Sequence, residues 1–424
     1  MSQPDTEHDS YDPLIPVPQA RRELTVRDAF SLWFSLGIGL LVLQAGALLV
    51  PGLSMAGALA AIVIGSLVGA GLLALAGVVG ADSGLATIAV LRPVLGTRGA
   101  AMPAVLNIVQ LAGWGAFEIV AMRDAANALA IKVVGAQWAG VLPVVWTLLF
   151  GAAATALAVM GPLGVVRRFL RHWGMWLLLA GAAWMSWALL AHHDLAALFA
   201  RKGDGSLSLG GGIDIVAAMP LSWLPLIADY TRFGKSPGAM FKGSAGGYLL
   251  ANLWFYSLGA LYALAAKTDA NGMLLSALAA TGGGVALLLI LIDETDNIFA
   301  DIFSAATSTA TLVRVRIGHL VMVFGGLCTL IALFVPMTQF QGFLYFIGSV
   351  FTPLYGVLLV DHFVIRRRAP GEASRGLRIG ALVAWGAGIA AYYAIVSGLP
   401  ALGATLPALA IAAVTYWSLR RLGL

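Results

Sequence analysis

Twelve stretches of about 20 apolar residues, each nearly free of charge, recur along the 424-residue chain. A hydrocarbon layer of about 30 Å takes about 20 helical residues to cross. Inside it every backbone N–H and C=O must be satisfied within the protein, so repeated stretches of this kind confine the chain to a bundle of membrane-crossing helices. Approximate span centres are Leu40, Val68, Gly115, Leu149, Ala182, Ser222, Trp254, Phe299, Phe324, Phe351, Gly388 and Ala410. Composition agrees: 60% of residues are hydrophobic and 11% charged, against roughly 25% charged in soluble proteins. That balance excludes an ordinary soluble enzyme and a disordered chain. An isoelectric point near 9.4 suggests nucleic acid, but the basic residues sit at span ends and form no interaction face. Cys328, the single cysteine, excludes a disulfide framework and a thiolate cluster.

The basic residues also orient the bundle. With the N-terminus inside, twenty of the 25 lysines and arginines fall on the cytoplasmic side and five outside, namely Arg123, Lys132, Arg201, Lys202 and Lys267. This bias predicts twelve spans in the cell (inner or plasma) membrane with both termini cytoplasmic. Residues 1–26 read as a cytoplasmic tail, 27–200 as spans one to five, and 201–212 as an external Gly/Ser loop. Residues 213–364 read as spans six to ten, 365–378 as a basic cytoplasmic loop, and 379–424 as spans eleven and twelve with a short cytoplasmic end. Within this scheme Met273–Thr281 is a short outer helix and Gly282–Gly284 a break before span eight.

Polar groups at membrane depth are costly and mark binding sites. Span one carries Gln44 after Gly37 and Gly39; span three carries Asn107, Gln110, Trp114 and Glu118 on one helical face. A stripe satisfied by a neighbouring helix is the simpler account of Asn107 and Gln110, which are uncharged; Glu118 points instead to a cavity. Span six carries Pro220, Trp223 and Pro225 and ends at Asp229-Tyr230-Thr231-Arg232, where Asp229 and Arg232 suit a helix terminus. In span eight Glu294, Asn297 and Asp301 share one face, with Thr295 about 100° away. Helical rise puts Gln44, Glu118, Trp223 and Glu294 together between the midplane and its outer side. Glycines in span one and prolines in span six interrupt corresponding helices of two five-span halves, the pattern of a transporter site. An intramembrane enzyme or a channel competes with this reading, but the sequence offers no Ser/Lys or Ser/His pair, no HExxH and no Walker motif.

Leu221–Phe233 (LSWLPLIADYTRF) and Phe343–Asp361 (FLYFIGSVFTPLYGVLLVD) resemble signatures of the nucleobase:cation symporters, the cytosine, purine and hydantoin permeases. Asp293–Ser304 (DETDNIFADIFS) is similar to the CytX-type members, assigned to hydroxymethylpyrimidine, a thiamine precursor. The resemblance implies an all-α integral membrane fold: a LeuT-like five-plus-five inverted repeat with two extra C-terminal helices. It also implies alternating access and secondary import of a pyrimidine, or of cytosine or another nucleobase. Trp114 would stack on the substrate ring and Glu118, where relatives carry Gln, would read its edge. Trp223 would close the sandwich, with Gln44 and Asn297 beside the substrate. Carbonyls of Leu40 and Leu43, with Glu294 and Thr295, would hold the coupling ion, Na⁺ or H⁺; Na⁺ would sit at Leu40, Leu43 and Thr295. No other cofactor and no obligatory protein partner is implied. Hydroxymethylpyrimidine and cytosine present a ring nitrogen beside an amine, which a protonated Glu118 complements. Transport is therefore expected to depend on pH.

Overall fold

The computed structural model describes residues 12–138, 140–164, 175–266, 291, 294–368 and 375–423. The outer helix and glycine break expected at 273–284 lie outside the described residues. Each of the twelve span centres falls in a helix. Seven helices are individually long and apolar enough to cross a membrane, and the halves of span one qualify together. The only sheet-like pairing among the described residues is an isolated bridge between Leu24 and Gly234.

Span one is two helices, Val26–Ser35 and Leu40–Ala47, bent by 60° across Leu36–Gly39. A capping box starts it: Thr25 accepts from the Asp28 amide and Asp28 accepts from the Thr25 amide, satisfying two donors that a helix start leaves open. Span six is likewise split, into Leu209–Ser222 and Ile227–Thr231. Pro225 supplies no N–H within that interruption.

The helices sort into two groups. Spans one, two (Met55–Ser83), six and seven (Pro237–Ala266) pack on one another, as do spans three (Ala101–Val134), four (Leu142–Gly164), eight (Thr295–Ala310) and nine (Ile317–Ala332). Span ten (Phe340–Leu359) joins spans eleven (Ile379–Gly398) and twelve (Thr405–Arg421) at the flank. Outward side chains such as Val109, Leu148, Val323 and Val414 are exposed and apolar, as a surface solvated by lipid requires.

Spans one and seven touch backbone to backbone. A Cβ on Gly46 would lie 2.4 Å from the Tyr256 carbonyl oxygen, and one on Gly259 would lie 2.0 Å from the Leu43 oxygen. Small residues drive close helix association where hydrophobicity cannot. Gly259→Val is expected to destabilise the protein by about 1–3 kcal/mol and to lower its thermal midpoint in detergent. An unchanged midpoint would count against this packing.

The described part of the N-terminal tail is strapped beneath the bundle. The Leu24 amide donates to the Phe233 carbonyl and the Lys235 amide to the Leu24 carbonyl, both at 2.9 Å. Val17 N–H reaches the Gly84 carbonyl at 2.9 Å, and the Arg22 guanidinium reaches the Ala81 carbonyl at 2.6 Å. The tail thus ties the adjoining ends of spans two and six.

Candidate functional site

Where two helices break in mid-membrane, their freed backbone groups need partners. Here polar side chains from the opposite helix group supply them. Both carboxylate oxygens of Glu294 accept from the Leu40 amide, at 3.3 and 3.2 Å, and Asn297 Nδ2 donates to the Ile38 carbonyl at 3.4 Å. Gly39 permits this approach, since a Cβ there would lie 2.7 Å from Glu294 Oε1. In span six, Asn107 Nδ2 donates to the Pro225 carbonyl at 2.9 Å and to Ser308 Oγ at 2.8 Å, with Gln110 donating to Asn107 at 2.9 Å. Span eight thus stitches the break in span one, and span three stitches the break in span six. Asn107 is satisfied by neighbours, as its uncharged character suggested, whereas the Gln110 amide oxygen is buried without a hydrogen-bond partner among the described residues.

Between the two groups lies a small cleft, lined by Trp114, Glu118, Met219, Ser222, Trp223, Leu226 and Asp301. Trp114 is backed by Phe343, edge to face at 5.5 Å. Trp223 caps the first half of span six, donates Nε1–H to the Tyr248 hydroxyl at 2.9 Å, and packs edge-on against Trp33 at 6.2 Å. Both indoles are therefore held in place before any ligand arrives. Glu118 and Glu294 interact electrostatically, which links the cleft to the break in span one.

Of the residues selected from sequence, Trp114, Glu118 and Trp223 share the cleft. Gln44 is buried on the second half of span one, outside the cleft lining. Asn297 faces the break in span one, where Glu294 also sits. Of the residues expected at an ion site, Leu40 donates its amide to Glu294, the Leu43 carbonyl faces Gly259 of span seven, and Thr295 Oγ1 donates to the Leu291 carbonyl at 3.5 Å. No three His, Cys, Asp or Glu side chains among the described residues are grouped to hold a metal ion.

The signature acid of span six is explained by a helix terminus. Asp229 Oδ1 accepts from the Thr87 amide at 2.8 Å, the first residue of helix Thr87–Leu95, where a carboxylate is favoured. Asp361, at the end of span ten, pairs with Arg366 and accepts from the Tyr416 hydroxyl at 2.8 Å. Met219, Ser222 and Leu226 line the cleft without having been singled out from sequence, whereas Asp301 had been placed on the face of Glu294 by its i+7 spacing.

A bundle with two helices broken at facing positions, closed around an aromatic and acidic cleft, is built to bind a small molecule at membrane depth. The family model for permeases of cytosine/purines, uracil, thiamine and allantoin matches residues 16–415. The chain is 24% identical to the allantoin permease of Bacillus subtilis (strain 168) over 405 residues, covering 85% of this chain and 79% of the relative. It is 26% identical to the cytosine permease of Escherichia coli (strain K12) over 368 residues, covering 83% and 81%. Its fold matches Mhp1, a nucleobase-cation-symport-1 transporter in a closed conformation with bromovinylhydantoin bound, at a TM-score of 0.79 and 18% identity over 97% of this chain and 95% of that one.

This is therefore a multi-pass membrane transporter with the Mhp1, LeuT-like fold, and not an enzyme. It belongs to the nucleobase:cation symporter family.

Proposed function

We propose that the protein imports an aminated pyrimidine, hydroxymethylpyrimidine foremost, in symport with Na⁺ or H⁺. The observation that carries this reading is the gathering of Trp114, Trp223 and Glu118 around one cleft. A flat ring entering it gains apolar burial and stacking from the indoles. Its edge must then find partners, because unpaired polar groups are costly in a dry site. A carboxyl at Glu118, where an amide is usual in the resemblance, favours a ring nitrogen flanked by an amine. The Glu294–Glu118 contact supports a link between cation and substrate. The DETDNIFADIFS motif supports hydroxymethylpyrimidine, and relatives that include a cytosine permease support cytosine as the second reading. The excess of basic residues on one side supports cytoplasmic termini in the inner or plasma membrane.

The test is uptake of labelled hydroxymethylpyrimidine into proteoliposomes, with sodium and proton gradients imposed separately. One gradient is expected to drive accumulation, cytosine to compete weakly and uracil not at all. Accumulation of cytosine alone would move the assignment to the second reading, and no gradient dependence would remove symport.

A further inference from the structure

Asp301 is the acidic residue of the cleft for which the family resemblance supplies no role. It is 2% exposed, on the cleft-facing side of span eight. Among the described residues its carboxyl makes no ion pair, and the buried Cys328 thiol of span nine is the titratable group near it. It lies beside Gly115 of span three: a Cβ there would be 3.8 Å from the Asp301 Cβ. Asp301 thus borders the residue that follows Trp114, and it faces the same space as Glu118. No lysine, arginine or histidine lines the cleft. Two carboxyls reach it from two different helices, and two tryptophans line it as well.

A buried carboxyl without an ion-pair partner is costly, and here the cleft is the direction from which a partner comes. The indole faces attract positive charge through their ring quadrupoles, and carboxyls form their strongest hydrogen bonds with cationic N–H donors. We propose that Asp301 is a second substrate-facing carboxyl, and that with Glu118 it selects basic, aminated heterocycles whose amine and protonated ring nitrogen each donate N–H to a carboxyl. Neutral diones such as uracil are disfavoured because they carry no amine and no ring nitrogen that takes up a proton to give a cation. This inference rests on the reading that the substrate lies between Trp114 and Trp223, but not on which pyrimidine it is.

The test uses the purified full-length chain in detergent, with hydroxymethylpyrimidine, cytosine and uracil as probes and calorimetry as the readout. The wild type is expected to bind an aminated probe at least about tenfold more tightly than uracil. Asp301→Asn should weaken the aminated probe by about tenfold or more and shrink its margin over uracil. Asp301→Ser serves as a second variant, and both are taken forward only with a wild-type gel-filtration profile. If both bind the aminated probe within about twofold of wild type, Asp301 has no substrate role and the proposal falls while the pyrimidine reading stands. If hydroxymethylpyrimidine fails to bind but cytosine binds in an Asp301-dependent manner, the hydroxymethylpyrimidine assignment falls and the acidic selection stands.

Discussion

Trp114→Ala will weaken substrate binding by about 1–3 kcal/mol, roughly 5- to 150-fold, the range for loss of one base–aromatic stack. Trp114 lines the cleft and is fixed by Phe343 at 5.5 Å, so its ring is positioned in advance and little ordering cost offsets its contact with the ligand. Truncation leaves a cavity that the helices close only in part. Trp114→Phe keeps an aromatic face and should recover much of the loss. Equilibrium binding of labelled hydroxymethylpyrimidine to the purified protein reads both variants. A Trp114→Ala protein of wild-type affinity and wild-type thermal midpoint would place the substrate elsewhere.

Glu294 carries the second large expectation. Its carboxylate takes the Leu40 amide at the start of the second half of span one and interacts electrostatically with Glu118 of the cleft. Glu294→Gln retains an acceptor for the amide, so the fold should survive with little change in thermal midpoint. The amide side chain cannot take up or release a proton and is a weaker partner for a cation. Gradient-driven uptake should therefore fall at least about tenfold, while binding measured without a gradient changes by less than about threefold. Glu294→Leu should lose stability as well, because the Leu40 amide is then stranded at a cost of about 1–3 kcal/mol. Gradient-driven accumulation at the wild-type rate in Glu294→Gln would separate this residue from ion coupling.

What was legible in the sequence follows from the range of the interaction involved. Spans were readable because each must satisfy its own backbone in lipid. The breaks in spans one and six were readable because glycine and proline act locally. Trp114 and Glu118 could be paired because residues four apart share a helical face. Asp301 stood on the same face as Glu294 by the same rule, but nothing local separates a carboxyl that faces a cleft from one satisfied by a neighbour. The stitching of Ile38 by Asn297 and of Pro225 by Asn107 joins residues far apart in the chain, and no periodicity reports it. The Leu43 carbonyl turns toward Gly259 because two glycines admit a close helix contact, which only packing reveals. Residues 1–26 read from sequence only as a tail, whereas their described part is held through backbone hydrogen bonds, which composition does not encode.

Counterflow of labelled hydroxymethylpyrimidine in proteoliposomes preloaded with unlabelled substrate, with wild type and Trp114→Ala side by side, tests the central claim most directly. A carrier that binds this ring at the cleft predicts a transient accumulation of label in wild type and its loss or strong reduction in Trp114→Ala. Counterflow that is absent in wild type, or undiminished in the variant, would contradict it.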